Sequence, residues 1–391
     1  MKLRRLPEDF QVDELTNVVA SGGPFALYRL TKKTIGTPEA ISAIAERWKV
    51  QRKRISFGGL KDRHAVTTQH LTIHNGPRKA LHQSSMDLEY LGQTSAPFTP
   101  ADFHANRFRL VLREMQDAEV RQAEAAISQV QQTGLPNYFD DQRFGSLGES
   151  GDWIARAWCK SDWERALWLA LADSHVNDSA SEKQQKQLLR DLWGLWAECH
   201  KRLDHSPRRT IVKHLADSLT AGRQPDFRGV LARINVDLRG LYLSAYQSAL
   251  WNRWLARFIT AHCATAVAPF DLLSGRSVFP LALSAETAAI LDDAELQLPC
   301  ARIDRPDGLP GELLETVLQE ESLELRELRV KYPRDSFFSK GMRRVMIRPA
   351  GLSSSVDSDD LYDGRKKLTL SFDLPRGSYA TILVKRLTEV Q

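Results

Sequence analysis

Leu368-Thr369-Leu370-Ser371-Phe372-Asp373 alternates apolar and polar side chains, the pattern of a strand with one face buried. It stands near the end of a chain of 391 residues. Leu374-Pro375-Arg376-Gly377 follows as a turn, and Ser378 is placed to cap a last helix. Just upstream, Gly351 to Asp360 is rich in Ser and Asp and reads as an exposed loop. A strand this late needs a sheet to join. The first 150 residues supply one. There, Phe108, Leu110 and Leu112 alternate with Arg107, Arg109 and Arg113, which predicts a half-buried strand with a basic outer face.

The rest of that N-terminal stretch is mixed. Residues 6 to 30 predict strands around a loop at Ser21-Gly22-Gly23-Pro24. Thr37 reads as an N-cap with Pro38 opening a helix, and Ile41, Ile44, Ala45 and Trp48 recur at helical spacing. Arg54 to Phe57 and Gln69 to His74 read as strands. Val120, Ala123, Ile127 and Val130 form a helical stripe closed by Gly134. From 152 to about 260 the strand signals fade and tryptophans become frequent, from Trp153 and Trp158 to Trp251 and Trp254. Ser161 with Glu164, and Ser181 with Gln184, have capping-box spacing, and Leu188, Leu192, Leu195 and Cys199 continue a helical stripe. The expected class is α+β. One domain is formed by residues 1–151 and 346–391, and a largely helical insertion occupies 152–345.

Composition bounds the chemistry. Hydrophobic residues at 42% and charged residues at 26% exclude wholesale disorder. Lys plus Arg is 54 and Asp plus Glu 49, so 54 − 49 gives +5, which permits a polyanionic partner. Cys159, Cys199, Cys263 and Cys300 form no C-x-x-C, against a zinc ribbon or thioredoxin site, and their sparseness suits a reducing cytoplasm. Met1 to Phe10 has no apolar core of a secretory signal, and no apolar run reaches bilayer length, so no membrane association is expected. The sequence shows no Walker loop, no G-x-G-x-x-G and no clustered His/Cys ligands.

Three stretches carry chemistry. Gly58-Gly59-Leu60-Lys61-Asp62-Arg63-His64-Ala65-Val66-Thr67 sets a carboxylate between two cations on a glycine-led turn. Adjacent positive charge favours ionised Asp62, a form able to act as nucleophile or general base. A solvated surface turn is an equal reading of this segment alone. Gly134 to Gly145 gathers Asn137, Tyr138, Phe139, Arg143 and Phe144, a mix suited to stacking a planar base and reading its edge, or to a packed aromatic loop. Gly377-Ser378-Tyr379-Ala380-Thr381 puts another aromatic after a turn.

Together with Pro7-Glu8-Asp9-Phe10, Asn106-Arg107-Phe108 and, more weakly, Tyr246 to Asn252, these stretches resemble the TruD-type pseudouridine synthases, in order along the chain. The resemblance implies a mixed or antiparallel sheet catalytic domain of the pseudouridine synthase kind with an inserted TRUD-type domain. It implies isomerisation of uridine to pseudouridine in tRNA, at position 13 of the D arm, with tRNA as partner, no cofactor and no protein partner; monomer is the default. It places the catalytic aspartate at Asp62, and nucleotide contacts at Phe10, Asn137 and Tyr379. Phe139 falls where the family has a phenylalanine in a role that tyrosine takes in other synthases. Arg4 falls near a basic position ahead of the Pro-Glu-Asp-Phe motif, and Lys61 and Arg63 flank the aspartate as supporting cations. Ala105, Gly58, Tyr379 and Lys385-Arg386 depart from the family's commoner residues, and 153–240 matches poorly.

Other readings compete. An idle RNA-binding protein on the same fold has no need of a carboxylate beside polyanionic RNA, and a glycosidase lacks a second carboxylate partner. Arg52-Lys53-Arg54, Lys61, Arg63, Arg107, Arg109, Arg143, Arg208-Arg209 and Lys213 are candidate phosphate contacts, though each alone is more often a solvated surface charge.

Overall fold

The segments marked as strands join one ten-stranded sheet. In the computed structural model, which describes residues 1–264 and 266–390, the order is Ala350–Ser358, Lys366–Pro375, Phe103–Met115, Phe10–Thr16, Val66–His74, Phe25–Lys33, Met86–Thr94 and Leu81–Gln83. Lys2–Leu3 pairs with Phe103–Met115, and Ile55–Phe57 with Val66–His74, outside that path. The late strand pairs with the early one as expected, Phe372 facing Phe108. Among the described residues of this sheet only one pairing is parallel: Phe10–Thr16 beside Val66–His74, with Gln11 opposite Val66.

The chain divides into two compact units, Met1–Asn137 with Met346–Gln391, and Tyr138–Val345. The chain leaves the first unit along Leu135–Pro136 and returns along Met346–Ile347. These two segments are antiparallel partners, so the crossing points are neighbours. Residues 138–151, read with the N-terminal part from sequence, belong to the second unit. The reason is local. The Tyr138 hydroxyl donates to the Val278 carbonyl (3.0 Å), and both backbone groups of Phe139 bond the Asn252 amide.

The first unit packs helix Thr37–Trp48 on one face of the sheet, Ala40, Ile41 and Ile44 meeting Tyr28, Leu30, Leu71, Ile73 and Leu88. Phe108 stacks on Phe372 (centroids 5.4 Å apart) and meets the Phe10 ring near-perpendicularly. The second unit is mostly helical, around Val236–Cys263, buried on nearly every side. A helix with apolar residues all round belongs in an interior. Trp251 and Trp254 are fully buried on it, and Trp158 and Trp196 on other helices. No helix among the described residues is long and apolar enough to cross a membrane.

Several local expectations are corrected. Gly351 to Asp360 overlaps the edge strand Ala350–Ser358, exposed along most of its length; its Ser and Asp side chains face solvent, a composition that blunts an edge. Thr37 lies inside its helix, which Gly36 caps. Asp162 and Ser179, one and two residues before Trp163 and Ser181, cap the helices assigned to Ser161 and Ser181. The stripe from Leu188 to Cys199 is broken, one helix ending at Asp191 and the next starting at Trp196, with Gly194 at φ 94° between them. Ser378 does not cap the last helix, Ala380–Thr388. Arg113 is buried where the strand pattern puts it on a basic outer face.

Candidate active site

Asp62 sits on the connection between Ile55–Phe57 and Val66–His74. That connection ends where Val66 pairs in parallel with Gln11, so its last residues lie beside Phe10. Buried polar side chains tie its backbone down. The Thr37 hydroxyl accepts from the Lys61 N–H (3.0 Å) and donates to the Gln69 amide oxygen (2.9 Å). The Gln69 amide donates back to the Gly59 carbonyl (3.2 Å). The Lys32 ammonium donates to the Asp62 carbonyl (2.7 Å) and reaches that of Lys61 (3.3 Å). A catalytic side chain acts best from a backbone its neighbours have already fixed. Thr37→Val keeps the shape and removes both bonds of a fully buried hydroxyl. It is expected to lower stability by ~1–3 kcal/mol, read from urea unfolding.

The cation at the Asp62 carboxylate is Arg4, its Nη2 3.3 Å from Oδ2. The same guanidinium lies over the Phe10 ring, 3.9 Å from its centroid. Arg4 adopts the left-handed region, φ 58°, at a cost of roughly 1–2 kcal/mol for a non-glycine residue. The paired Lys2–Leu3 segment before it and the turn Pro7–Asp9 after it hold it there. Phe10 is only 2% exposed, one face under Arg4.

The two cations adjacent in sequence turn elsewhere. Lys61 Nζ lies 3.0 Å from the buried Glu14 carboxylate and donates to Asn106 Oδ1 (2.7 Å). Arg63 reaches outward to Glu39 (3.4 Å). Burial raises the Glu14 carboxyl, but His70 and the Lys61 ammonium outweigh it and hold it below the usual range. Across the sheet, Leu374 pairs with Asn106, which brings the C-terminal turn to the strand that Lys61 touches. Ser378 donates to Asn137 Oδ1 (3.1 Å), and the partly buried Tyr379 occupies the N-cap of the last helix. The first unit thus brings together Arg4, Phe10, Lys61 and Asp62, and separately joins Asn137 to the turn that carries Tyr379.

Phe139 belongs to the second unit. It is 8% exposed. The Trp251 ring stands near-perpendicular to it, and the guanidinium of Arg343 lies 4.0 Å from its centroid. Asn252 accepts from the Phe139 N–H (2.9 Å) and donates to its carbonyl (2.8 Å). This gives the Tyr246–Asn252 stretch a physical role: its amides fasten loops to the central helix, Gln247 doing so at the carbonyls of Pro299 and Ser339.

Of the candidate phosphate contacts, Arg107 forms a two-bond pair with Asp373, Arg208 pairs with Glu182, and Lys213 with Asp217. Arg54 donates to backbone carbonyls at His74 and Asn75, and Arg209 to that of His200. Arg143 donates to Ser248. Arg52, Lys53 and Arg109 are exposed. Among the described residues no group of three His, Cys, Asp or Glu is arranged to hold a metal.

Sequence reasoning misses Lys32, Glu14, Gln69, Asn252 and Arg343. A signal exists for Lys32. It continues the period-two face of Tyr28 and Leu30, which predicts an inward side chain.

The fold is that of the TruD pseudouridine synthases. A solved structure described as that of the "Putative tRNA pseudouridine synthase D (TruD)" from Methanosarcina mazei superposes with a TM-score of 0.73 at 24% identity, covering 100% of this chain and 94% of that one. The family model described as tRNA pseudouridine synthase D (TruD) matches residues 1–387, and the chain belongs to that family. A Methanocaldococcus jannaschii protein named "Probable tRNA pseudouridine synthase D 2" is 29% identical over 99% of this chain and 91% of its own length. The Aquifex aeolicus tRNA pseudouridine synthase D is 26% identical over 99% and 98%.

Proposed function

We propose that this protein isomerises uridine to pseudouridine in tRNA, at position 13 of the D arm, with Asp62 as the catalytic carboxylate. The observation that carries this reading is the Arg4–Asp62 pair on a backbone-tethered turn, within a chain matched by the family model over residues 1–387. The reaction breaks the bond from C1′ to N1, turns the uracil, and joins C1′ to C5. The C5 proton leaves and N1 gains one, so no atom or electron is exchanged with a cofactor. Asp62 acts at C1′ or as the base that takes a proton, and the Arg4 guanidinium holds its carboxylate in place. The target base must leave its stack to reach the carboxylate.

Phe10, Asn137, Phe139 and Tyr379 are assigned to binding the target nucleotide in this reading. Two of these rings enter with a condition set by the geometry. Phe10 and Phe139 are each covered by a guanidinium, so base contact requires Arg4 and Arg343 to yield a face. Lys61 and Arg63 support the turn through Glu14 and Glu39. Met1–Asn137 with Met346–Gln391 serves as the catalytic domain and Tyr138–Val345 as the inserted one, in a cytoplasmic monomer. The test is position-resolved pseudouridine mapping of tRNA from cells lacking the gene, complemented by wild type or Asp62→Asn. Loss of one D-arm pseudouridine restored only by wild type is the expected result. An unchanged map overturns the assignment to tRNA.

A further inference from the structure

The last residue but one of the strand Phe25–Lys33 is a lysine that the reading above leaves unused. Lys32 is 1% exposed. A buried ammonium is unfavourable unless its donors are all taken. Here the three N–H bonds have three acceptors, all backbone carbonyls: Ile35 (2.9 Å), Asp62 (2.7 Å) and Lys61 (3.3 Å). Among the described residues no carboxylate forms an ion pair with it. An apolar residue could fill this volume, but it would leave these three carbonyls without the donor they share. What the ammonium supplies is a three-point anchor between the end of one strand and the two residues at the tip of the connection. Two of those points are consecutive carbonyls, so the peptide between Lys61 and Asp62 is fixed in orientation, and with it the direction in which the Asp62 side chain leaves the backbone.

We propose that Lys32 is a positioning residue for pseudouridylation, its ammonium holding the Lys61 and Asp62 carbonyls so that the Asp62 carboxylate is aimed at the sugar. This rests on Asp62 being the catalytic carboxylate. Lys32 touches no reacting atom; it acts through the backbone. The anchor needs the charged form, since a neutral amine has one donor fewer and weaker bonds. Burial brings the Lys32 amine down to about 8, against the upward pull of Asp62 and Glu39 and with a further downward push from Lys61. The anchor is therefore complete below that value and lost above it. Catalysis should therefore weaken with rising pH.

The test measures single-turnover rate and tRNA affinity for wild type, Lys32→Met and Asp62→Asn, with the wild-type kcat/KM followed from pH 6.5 to 9.5. A misplacement of about 1 Å at a reacting group can cost ~10²-fold. Lys32→Met is expected to lose about 30- to 100-fold in rate with a Kd for tRNA within threefold of wild type. The wild-type kcat/KM, which reports the free enzyme, is expected to fall as pH rises through about 8, and that fall should be missing in Lys32→Met. A folded Lys32→Met with wild-type rate overturns the proposal, as does a loss shared equally by rate and affinity. Should Lys32→Met fail to fold, the wild-type profile decides: a level kcat/KM up to pH 9.5 overturns it. An active Asp62→Asn instead overturns the underlying catalytic assignment, whatever Lys32→Met does.

Discussion

Asp62→Asn is expected to abolish pseudouridine formation, by about 10⁴-fold or more in single-turnover rate, equivalent to ~5.5 kcal/mol of barrier. The substitution keeps the size of the side chain and its reach toward Arg4 at 3.3 Å. It removes the charge that Asp62 would bring to C1′ and the basicity that would take a proton. The backbone bonds from Lys32 and Thr37 go to main-chain atoms, so the turn should keep its shape and the melting temperature should move little. Affinity for tRNA should hold or improve slightly, because one negative charge is removed from a site that receives a polyanion. The measurement pairs release or mapping of pseudouridine with filter binding at a stated salt concentration. Loss of affinity in step with activity would move Asp62 from the chemistry to the scaffold. Retained activity would remove it from the reaction altogether.

The turn itself is legible because its signal is local. Glycines, a carboxylate and a following strand lie within ten residues, and the period-two pattern of residues 368 to 373 points back to the strand at 103–115. The partners of the turn are not legible, because they come from distant places. Lys61 and Arg63 flank Asp62 in sequence and read as its cations, yet adjacency in a turn does not set where a side chain ends. The Lys61 ammonium ends at Glu14 and the Arg63 guanidinium at Glu39, while Arg4 reaches Asp62 across a separation of 58 residues. Thr37 reads as a cap because a Thr-Pro pair at a helix start permits it. Its hydroxyl instead serves two other segments. Caps shifted by one or two residues, as at Asp162 and Ser179, follow from several adjacent residues being chemically able to cap. The aromatic residues are found by type, but their environment is not: the guanidinium of Arg343 over Phe139 comes from a distant part of the chain, and that of Arg4 reaches Phe10 only because the chain turns between them.

Arg113 escapes the sequence pattern for the same reason, and it supports the second large prediction. The alternation around Phe108 puts it on a basic outer face, but its guanidinium is enclosed by Asp9 (2.9 Å), Asp359 (3.0 Å) and Asp360 (2.9 Å). Asp9 is the aspartate immediately before Phe10, and its other oxygen accepts from the Leu6 N–H (2.7 Å). The cluster thus fastens the segment carrying Arg4 and Phe10 to the strand Phe103–Met115 and to the residues after the edge strand. Burial lowers the Arg113 guanidinium's hold on its proton, but its bonds to Asp360 and Asp9 more than reverse that. Burial likewise raises the Asp359 carboxyl, and the N–H groups of Glu114 and Leu361 with the Arg113 guanidinium outweigh it, leaving it below the usual range. A carboxyl lowered on folding adds stability above its unfolded value of 3.8, and that stability is lost as pH falls through the lower folded value. Arg113→Met leaves Asp9 and Asp359, each with an essentially buried side chain, without their countercharge. The expected loss at pH 7 is ~3–5 kcal/mol, the range for breaking one side of a buried ionic cluster, seen as a lower urea midpoint at unchanged slope. An uncompensated buried carboxylate favours its protonated form. The deficit relative to wild type should therefore shrink as pH is lowered toward 4, because protonation relieves the variant's buried carboxylates while the wild type keeps its stability down to the lower folded value. A loss below ~1 kcal/mol at pH 7, or a deficit that does not change with pH, would mean that backbone N–H groups alone satisfy these carboxylates and that the Arg113 charge contributes little to the fold.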